Sequence, residues 1–364
     1  MKILLKFILL LIGLILVFGC EKNEVPTKPP ANVLPDTTSH DFTWQMDVLG
    51  DGEASNLRDV CIIDENDVWA VGEIYLKDST GQLDPNSYNA SKWNGKNWDL
   101  KRIPFIGSCS AVLYPPIKAI WAFSDNNILL TNGGSMVNYN GSNATLDCRM
   151  NPLLTGAINK IYAVNPEEVY AVGNNGSIVH YNGSGWQKLE SGTNQDIQDI
   201  WGAKNPVTGE YTILAVASSI FTSYEKEILQ IKGTHVEKVS TLGIDWPVDA
   251  IWFDPGRIYY AVGVGIYSRK ALNATESWNG PGLTVTTYTS HAIRGNHLND
   301  IFVVGAFGDV LHYNGKSWRS YRQATALAQG SYVSVSVKGD WFFAVGHNFD
   351  RAVVLRGKRM ERQN

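Results

Sequence analysis

The sequence predicts an all-β protein, a seven-bladed β-propeller of four-stranded antiparallel blades closed by an N-terminal strand. Three observations carry that prediction. A unit of four short β patterns recurs along the chain at about 40-residue spacing, the period of a propeller blade. Its third pattern ends each time on a glycine, which signals a tight turn into the fourth. An aromatic segment of fourth-strand type also stands ahead of the first unit, where a linear array would have none. Composition agrees. The 364 residues are 44% hydrophobic, enough for a sizeable core, and 34 Gly with 12 Trp and 16 Tyr suit turn-rich β structure. The formal net charge is −4, and no Lys/Arg-rich block is present, which argues against electrostatic nucleic-acid binding.

The clearest unit begins at Lys160 and reads KIYAVNPEEVYAVGNNGSIVHYNGSGWQKLESG. Its opening strand recurs at Asp59, Ala119, Asp199, Ala250, Ala292 and Ser334. Its second strand recurs from Asp67, Asn127, Thr212, Ile258, Asp300 and Trp341. The third strand ends at Gly95, Gly141, Gly183, Gly233, Gly280, Gly315 and Gly357, and a Trp three residues later opens the fourth at Trp98, Trp186 and Trp318. Asn-Gly predicts a two-residue type I′ hairpin, since it supplies two positive φ angles. Along the second strand Trp69, Tyr170, Tyr260 or Phe302 alternates with Ala or Val, so large and small residues fall on opposite faces. The aromatic face of one unit can then cover the small face of the next. The segment from Phe42 to about Leu49 carries the fourth-strand Trp44, while little chain follows Gly357. It therefore supplies the outer strand of the seventh blade and joins the ends of the array.

Residues 41–364 form the propeller on this reading, and the preceding chain is a leader and tether. Lys2 and Lys6 precede an apolar run from Ile8 to Phe18, the pattern of a secretory signal peptide over residues 1–19. A retained transmembrane anchor is the alternative reading of that run. Residues 20–40 are Pro-rich and polar, as a semi-extended tether would be. The ending Val17-Phe18-Gly19-Cys20 resembles the lipobox of bacterial lipoproteins. That resemblance implies a diacylglyceryl and palmitate-type modification of Cys20, a membrane-lipid partner, and a lipid-anchored protein of the bacterial cell envelope, at the outer membrane, facing periplasm or exterior.

The repeats themselves resemble a group of bacterial exported β-propeller proteins built from units such as IYAV…VYAVG…HYNGxxW, and the likeness runs from Asp41 to Asn364. Members are described as glucosyltransferase-like or photosystem II assembly factor-like. Nothing in the repeats supports sugar transfer. The turn is also similar to the Asp-box of sialidases, with Asn in place of the Asp. Tryptophan–aspartate and kelch signatures are absent.

In a propeller the connections between blades and those joining second to third strands share one face. The longest departures from the repeat fall there: 73–89, 103–116 and 240–247. Insertions on one face of a repeat protein mark a binding face. Glu73, Tyr75, Asp78, Asp84, Tyr88, Tyr114, Trp246 and His347 are the candidate ligand contacts, because aromatic and acidic side chains suit sugars or a protein partner. The expected function is a membrane-anchored binding module for a protein partner or polysaccharide. The alternative is a carbohydrate-active enzyme using carboxylates such as Glu73, Asp78 or Asp84, which would need two carboxyl groups about 5 to 9 Å apart. No nucleophile–base constellation is legible, and no catalytic residue is assigned. Equivalent repeat positions for His180 and His312 argue for roles within their blades. No cofactor or metal is expected, since CxxC, His/Cys clusters and calcium loops are lacking. Besides Cys20 there are Cys61, Cys109 and Cys148. Cys61 reads as a small buried strand residue, and Cys109 with Cys148 is the candidate disulfide.

Overall fold

A computed structural model describes residues 37–51, 54–106, 112–219, 225–272 and 275–360, all within one compact unit. Seven four-stranded antiparallel sheets succeed one another along the chain. The innermost strands are Asn56–Asp64, Ala119–Ser124, Ile158–Asn165, Ile197–Lys204, Val248–Asp254, Ser290–His297 and Gly330–Lys338. Each repeat unit from the sequence forms one blade. The segments expected to be a signal peptide and most of a tether, with Cys20, lie outside the described residues.

Blades stack as the alternation requires. Trp69 of blade 1 packs with Ile120, Ile128 and Leu130 of blade 2, while Val68 and Ala70 on its other face pack with Phe343 and Val345 of blade 7. Every such residue is buried. At about 25 cal/mol per Å² of apolar surface, this repeated interface is the main source of stability. Polar staples reinforce the rim. Trp186 of blade 3 donates its indole N–H to Asp147 of blade 2 at 3.0 Å, and Trp98 of blade 1 does the same to Asp47 of the closing strand at 2.9 Å. Hydrogen bonds from Arg149, with the one from Trp186, hold the Asp147 carboxyl down at about 2.

Closure occurs as expected. Phe42–Leu49 pairs antiparallel along its whole length with Arg351–Arg359, the third strand of blade 7. Trp44 lies opposite Gly357, where a Cβ would come within 2.5 Å of the indole, and packs on Tyr321 and Phe342. Arg356 and Asp47 form an ion pair across the same seam. Just before the strand, His40 Nδ1 lies 2.9 Å from His312 Nδ1 of blade 6, and Thr38 donates to the Asn299 carbonyl.

Three details correct the sequence reading. The Asn-Gly hairpins are not two-residue type I′ turns. Trp93 pairs with Trp98 and Tyr181 with Trp186, so each loop has four residues, and only the glycine adopts positive φ (Gly95 +87°, Gly183 +85°). The asparagine works through its side chain instead: Asn182 Oδ1 accepts the N–H groups of Ser184 and Gly185, and Asn94 Oδ1 those of Lys96 and Asn97. In blade 5 the third strand is Gly265–Arg269. Trp278-Asn279-Gly280 enters the outer strand Asn279–Gly282 rather than ending the third, and Trp278 is drawn inward by its bond to the Ser240 carbonyl. Cys61 is half-buried along the central channel, where burial pushes its thiol up to about 11.

Candidate functional site

Six of the seven innermost strands carry a register irregularity near their first residues. It passes over Arg58, Asn159, Gln198, Asp249, His291 and Val333, and Lys118 stands just ahead of the remaining inner strand. A bulge turns one side chain out of the period-2 alternation. Repeated around the propeller, it aims a ring of side chains into the mouth of the central channel, on the face that holds the blade-to-blade connections.

One step inward lies a belt of buried charge. Lys160 Nζ of blade 3 reaches across to Asp59 Oδ1 of blade 1 at 2.5 Å, and Asp59 also accepts from Ser334 at 2.6 Å and from the Val60 and Ile120 amides. Arg294 of blade 6 makes a bidentate pair with Asp199 of blade 4 at 2.8 and 2.9 Å and lies over the Trp201 ring. Bidentate geometry and added backbone donors are what let such pairs persist when buried. Lys160 and Arg294 border both an upper funnel of about 260 Å³ and a lower cavity of about 220 Å³. The belt is thus a floor beneath the funnel. Below it Trp121 packs edge to face on Tyr162, and both rings pack at a tilt against Trp201.

The candidate residues from the sequence reach this face in separate groups. Glu73 pairs with Arg58 of the ring at 3.0 Å and accepts from the Tyr75 hydroxyl at 3.4 Å. His347, also at the mouth, is held below its ordinary value by burial and by the neighbouring His291 and Arg58; its Nδ1 is buried with no hydrogen-bond partner among the described residues. Asp84 pairs with Arg102, which stacks on Tyr88 at 4.0 Å. Asp78 closes its own turn by accepting from Thr80 and Gln82. Hydrogen bonds hold both aspartates below the usual carboxylate range. Tyr114 is half-buried, and Trp246 is 40% exposed. Cys148 is an exposed free thiol, and Cys109 lies outside the described residues. No cluster able to hold a metal is present among the described residues.

His180 and His312 serve their blades, as their repeat positions implied. His180 Nε2 lies 2.9 Å from Glu168 and stacks on Tyr170; His312 Nε2 lies 3.0 Å from Asp300 and stacks on Phe302.

Sequence reasoning missed the channel-mouth ring and two aromatic turns. Phe307 and Phe349 sit at φ +56° and +55° in the second-to-third-strand turns of blades 6 and 7, and are 42% and 58% exposed. The corresponding turn of blade 3 places Asn175 and Gly176 there, residues that tolerate the left-handed region. A Phe gains nothing from that backbone, which costs it roughly 1–2 kcal/mol. The signal was available: Phe307-Gly308 aligns with Asn175-Gly176 in the repeat. Exposed apolar residues share this face more widely. Val112, Leu113, Leu242, Trp246 and Leu283 lie on its connections, against Val207, Tyr211 and Met360 at the opposite end.

No protein-family model matches the chain, and no curated protein matches it. Solved structures do. A structure described as YCF48 bound to D1 peptide aligns with a TM-score of 0.64 at 16% identity, covering 89% of this chain and all of that one. YCF48 from Cyanidioschyzon merolae aligns at 0.59 and 15%, covering 85% and 98%, and the WD40 propeller domain of Doa1 at 0.58 and 13%, covering 88% and 98%. At these identities the likeness is one of fold: the chain is a seven-bladed β-propeller of four-stranded blades.

Proposed function

We propose that this chain is a lipid-anchored, envelope-facing module that binds a protein partner through the face surrounding the channel mouth. The observation that carries the reading is the lopsided distribution of exposed apolar side chains. Phe307, Phe349, Trp246 and Leu242 stand on that one face, two of them at backbone angles that disfavour them. Backbone strain retained at an exposed aromatic is the mark of a contact made with something else. The carboxylates nearest the funnel support binding over hydrolysis. Asp59 and Asp199 are each clamped by a cation and backbone donors, Glu73 is tied to Arg58, and Asp199 is the one carboxylate among the described residues lining the funnel, where hydrolysis would use two. A fold neighbour described as holding a peptide is consistent with this use of a propeller. Anchoring through Cys20 and a Pro-rich tether would hold this surface clear of a bilayer.

The test is crosslinked capture from native membranes, comparing the parent chain with the triple variant Trp246→Ser, Phe307→Ser, Phe349→Ser. One protein, identified by mass spectrometry and rebinding as a purified species to the parent alone, is the expected result. Capture that is indifferent to the three substitutions, or retention of polysaccharide alone, would refute the reading.

A further inference from the structure

We propose that the upper funnel is a carboxylate site that receives an acidic group from the partner's chain. The inference rests on the protein-binding reading and names the chemistry of its anchor. Four cations border the funnel, Arg58, Lys118, Lys160 and Arg294, against one carboxylate of its lining, Asp199, which Arg294 already clamps; Asp249, the carboxylate of the ring, is paired with His291 at 3.0 Å. Lys160 is likewise matched by Asp59. Lys118 is not matched: its ammonium has no ion pair or hydrogen bond among the described residues. Burial, and then the nearby Arg58, hold Lys118 below its ordinary value, and Asp196 is the one carboxylate among the described residues that acts against them. Arg58 itself spends one nitrogen on Glu73 and stays 39% exposed. An anion placed between these two cations would relieve their mutual repulsion in a partly water-excluded site, where charge pairing is strong.

Shape narrows the ligand. A volume of about 260 Å³ takes a side chain or a chain end. The Asp59–Lys160 and Asp199–Arg294 floor stops it from passing through. A carboxylate on a side chain or at a C-terminus fits both limits. Phe307 and Phe349 stand on blades 6 and 7 on this face, and the Asp350 carbonyl next to Phe349 accepts from Ser55 just before the Arg58 strand. One extended peptide could engage both the apolar hooks and the cationic funnel.

The experiment uses the full propeller and three random hexapeptide pools: C-terminal amides of neutral composition, the same amides with one Glu, and neutral free acids. At low salt the acidic pools should be retained at least about tenfold over the neutral amide pool, the factor that 1.4 kcal/mol provides. Lys118→Gln and Arg58→Gln should each cut that preference to below threefold with unchanged melting curves. Lys96→Gln, in a turn on the opposite face, should leave it intact. Preference for the Glu amides assigns a side-chain carboxylate, and preference for the free acids a terminal one. Equal retention of all three pools, still lost in Phe349→Ser, would overturn the funnel inference and leave the binding face standing. Retention of none would overturn both. Inorganic sulfate binding with no acidic-peptide preference would show a simple anion site and overturn the peptide assignment.

Discussion

Phe349 offers a way to measure, free of any ligand, whether its turn is held against backbone preference. Its φ of +55° places a bulky residue in the left-handed region, and its ring is more than half exposed. Phe349→Ala and Phe349→Gly both delete the ring, so the lost packing cancels between them and the backbone term remains. Ala keeps the left-handed cost, roughly 1–2 kcal/mol, while Gly removes it. Gly also loses about 0.5–1 kcal/mol through its larger unfolded-state freedom. The Gly variant should therefore be the more stable by about 0.5–1 kcal/mol, the reverse of the order at an ordinary position. A propeller this large has an unfolding entropy that makes 1 kcal/mol only a degree or two in melting temperature. Urea unfolding at 25 °C, followed by tryptophan fluorescence and compared at a common slope, is the suitable assay. An Ala variant as stable as the Gly variant, or more so, would refute the strain argument. Partner capture should fall equally in both, because it depends on the missing ring.

Deleting residues 41–50 should lower the melting temperature by ten degrees or more, since it removes the eight-residue strand and the Trp44 contacts that seal blade 7; an unchanged melt would refute the closure. Asp199→Asn should cost about 3–5 kcal/mol in urea unfolding by leaving the Arg294 guanidinium buried without its counter-charge. An effect under 1 kcal/mol would mean that the belt is solvated. His40 is pushed down to about 4, by burial first and then by His312 and Arg319. Its folded value lies below the ordinary 6.5, so the unfolded chain takes the proton first. Stability should be full above pH 6.5 and decline toward pH 4, and His40→Gln should make that decline shallower. A parent stability that is flat across that window would exclude this role for His40.

Most of the architecture was legible because a propeller is one supersecondary unit written seven times. Strand periodicity, the Trp that opens three of the outer strands and the early Trp44 all pointed to one answer, and the register of Phe42–Leu49 on Arg351–Arg359 agrees with it. The failures came where one residue had two possible jobs. Asn182 could have supplied positive φ or a side-chain acceptor, and the four-residue loop uses the acceptor. Trp278-Asn279-Gly280 matched the third-strand ending in letters, but blade 5 turns earlier, after Arg269.

The candidate site was less legible for a physical reason, because it occupies positions where the repeat says nothing. The bulge positions hold Arg58, Asn159, Gln198, Asp249, His291 and Val333, with Lys118 beside its strand. Seven different residues in equivalent places look like drift when the chain is read as alternating strands, since a bulge breaks the alternation. Folded, the same positions face one another across a funnel, and their diversity becomes its chemistry. The insertions that drew attention in the sequence behave differently. Asp78 and Asp84 are spent on their own turn and on Arg102, so the longest loop satisfies its own polar groups. Buried charges that close the channel, an unmatched lysine at its mouth and aromatic side chains held on unfavourable turns are three features converging on one face. That convergence, more than loop length, is the ground for proposing this face as the binding surface.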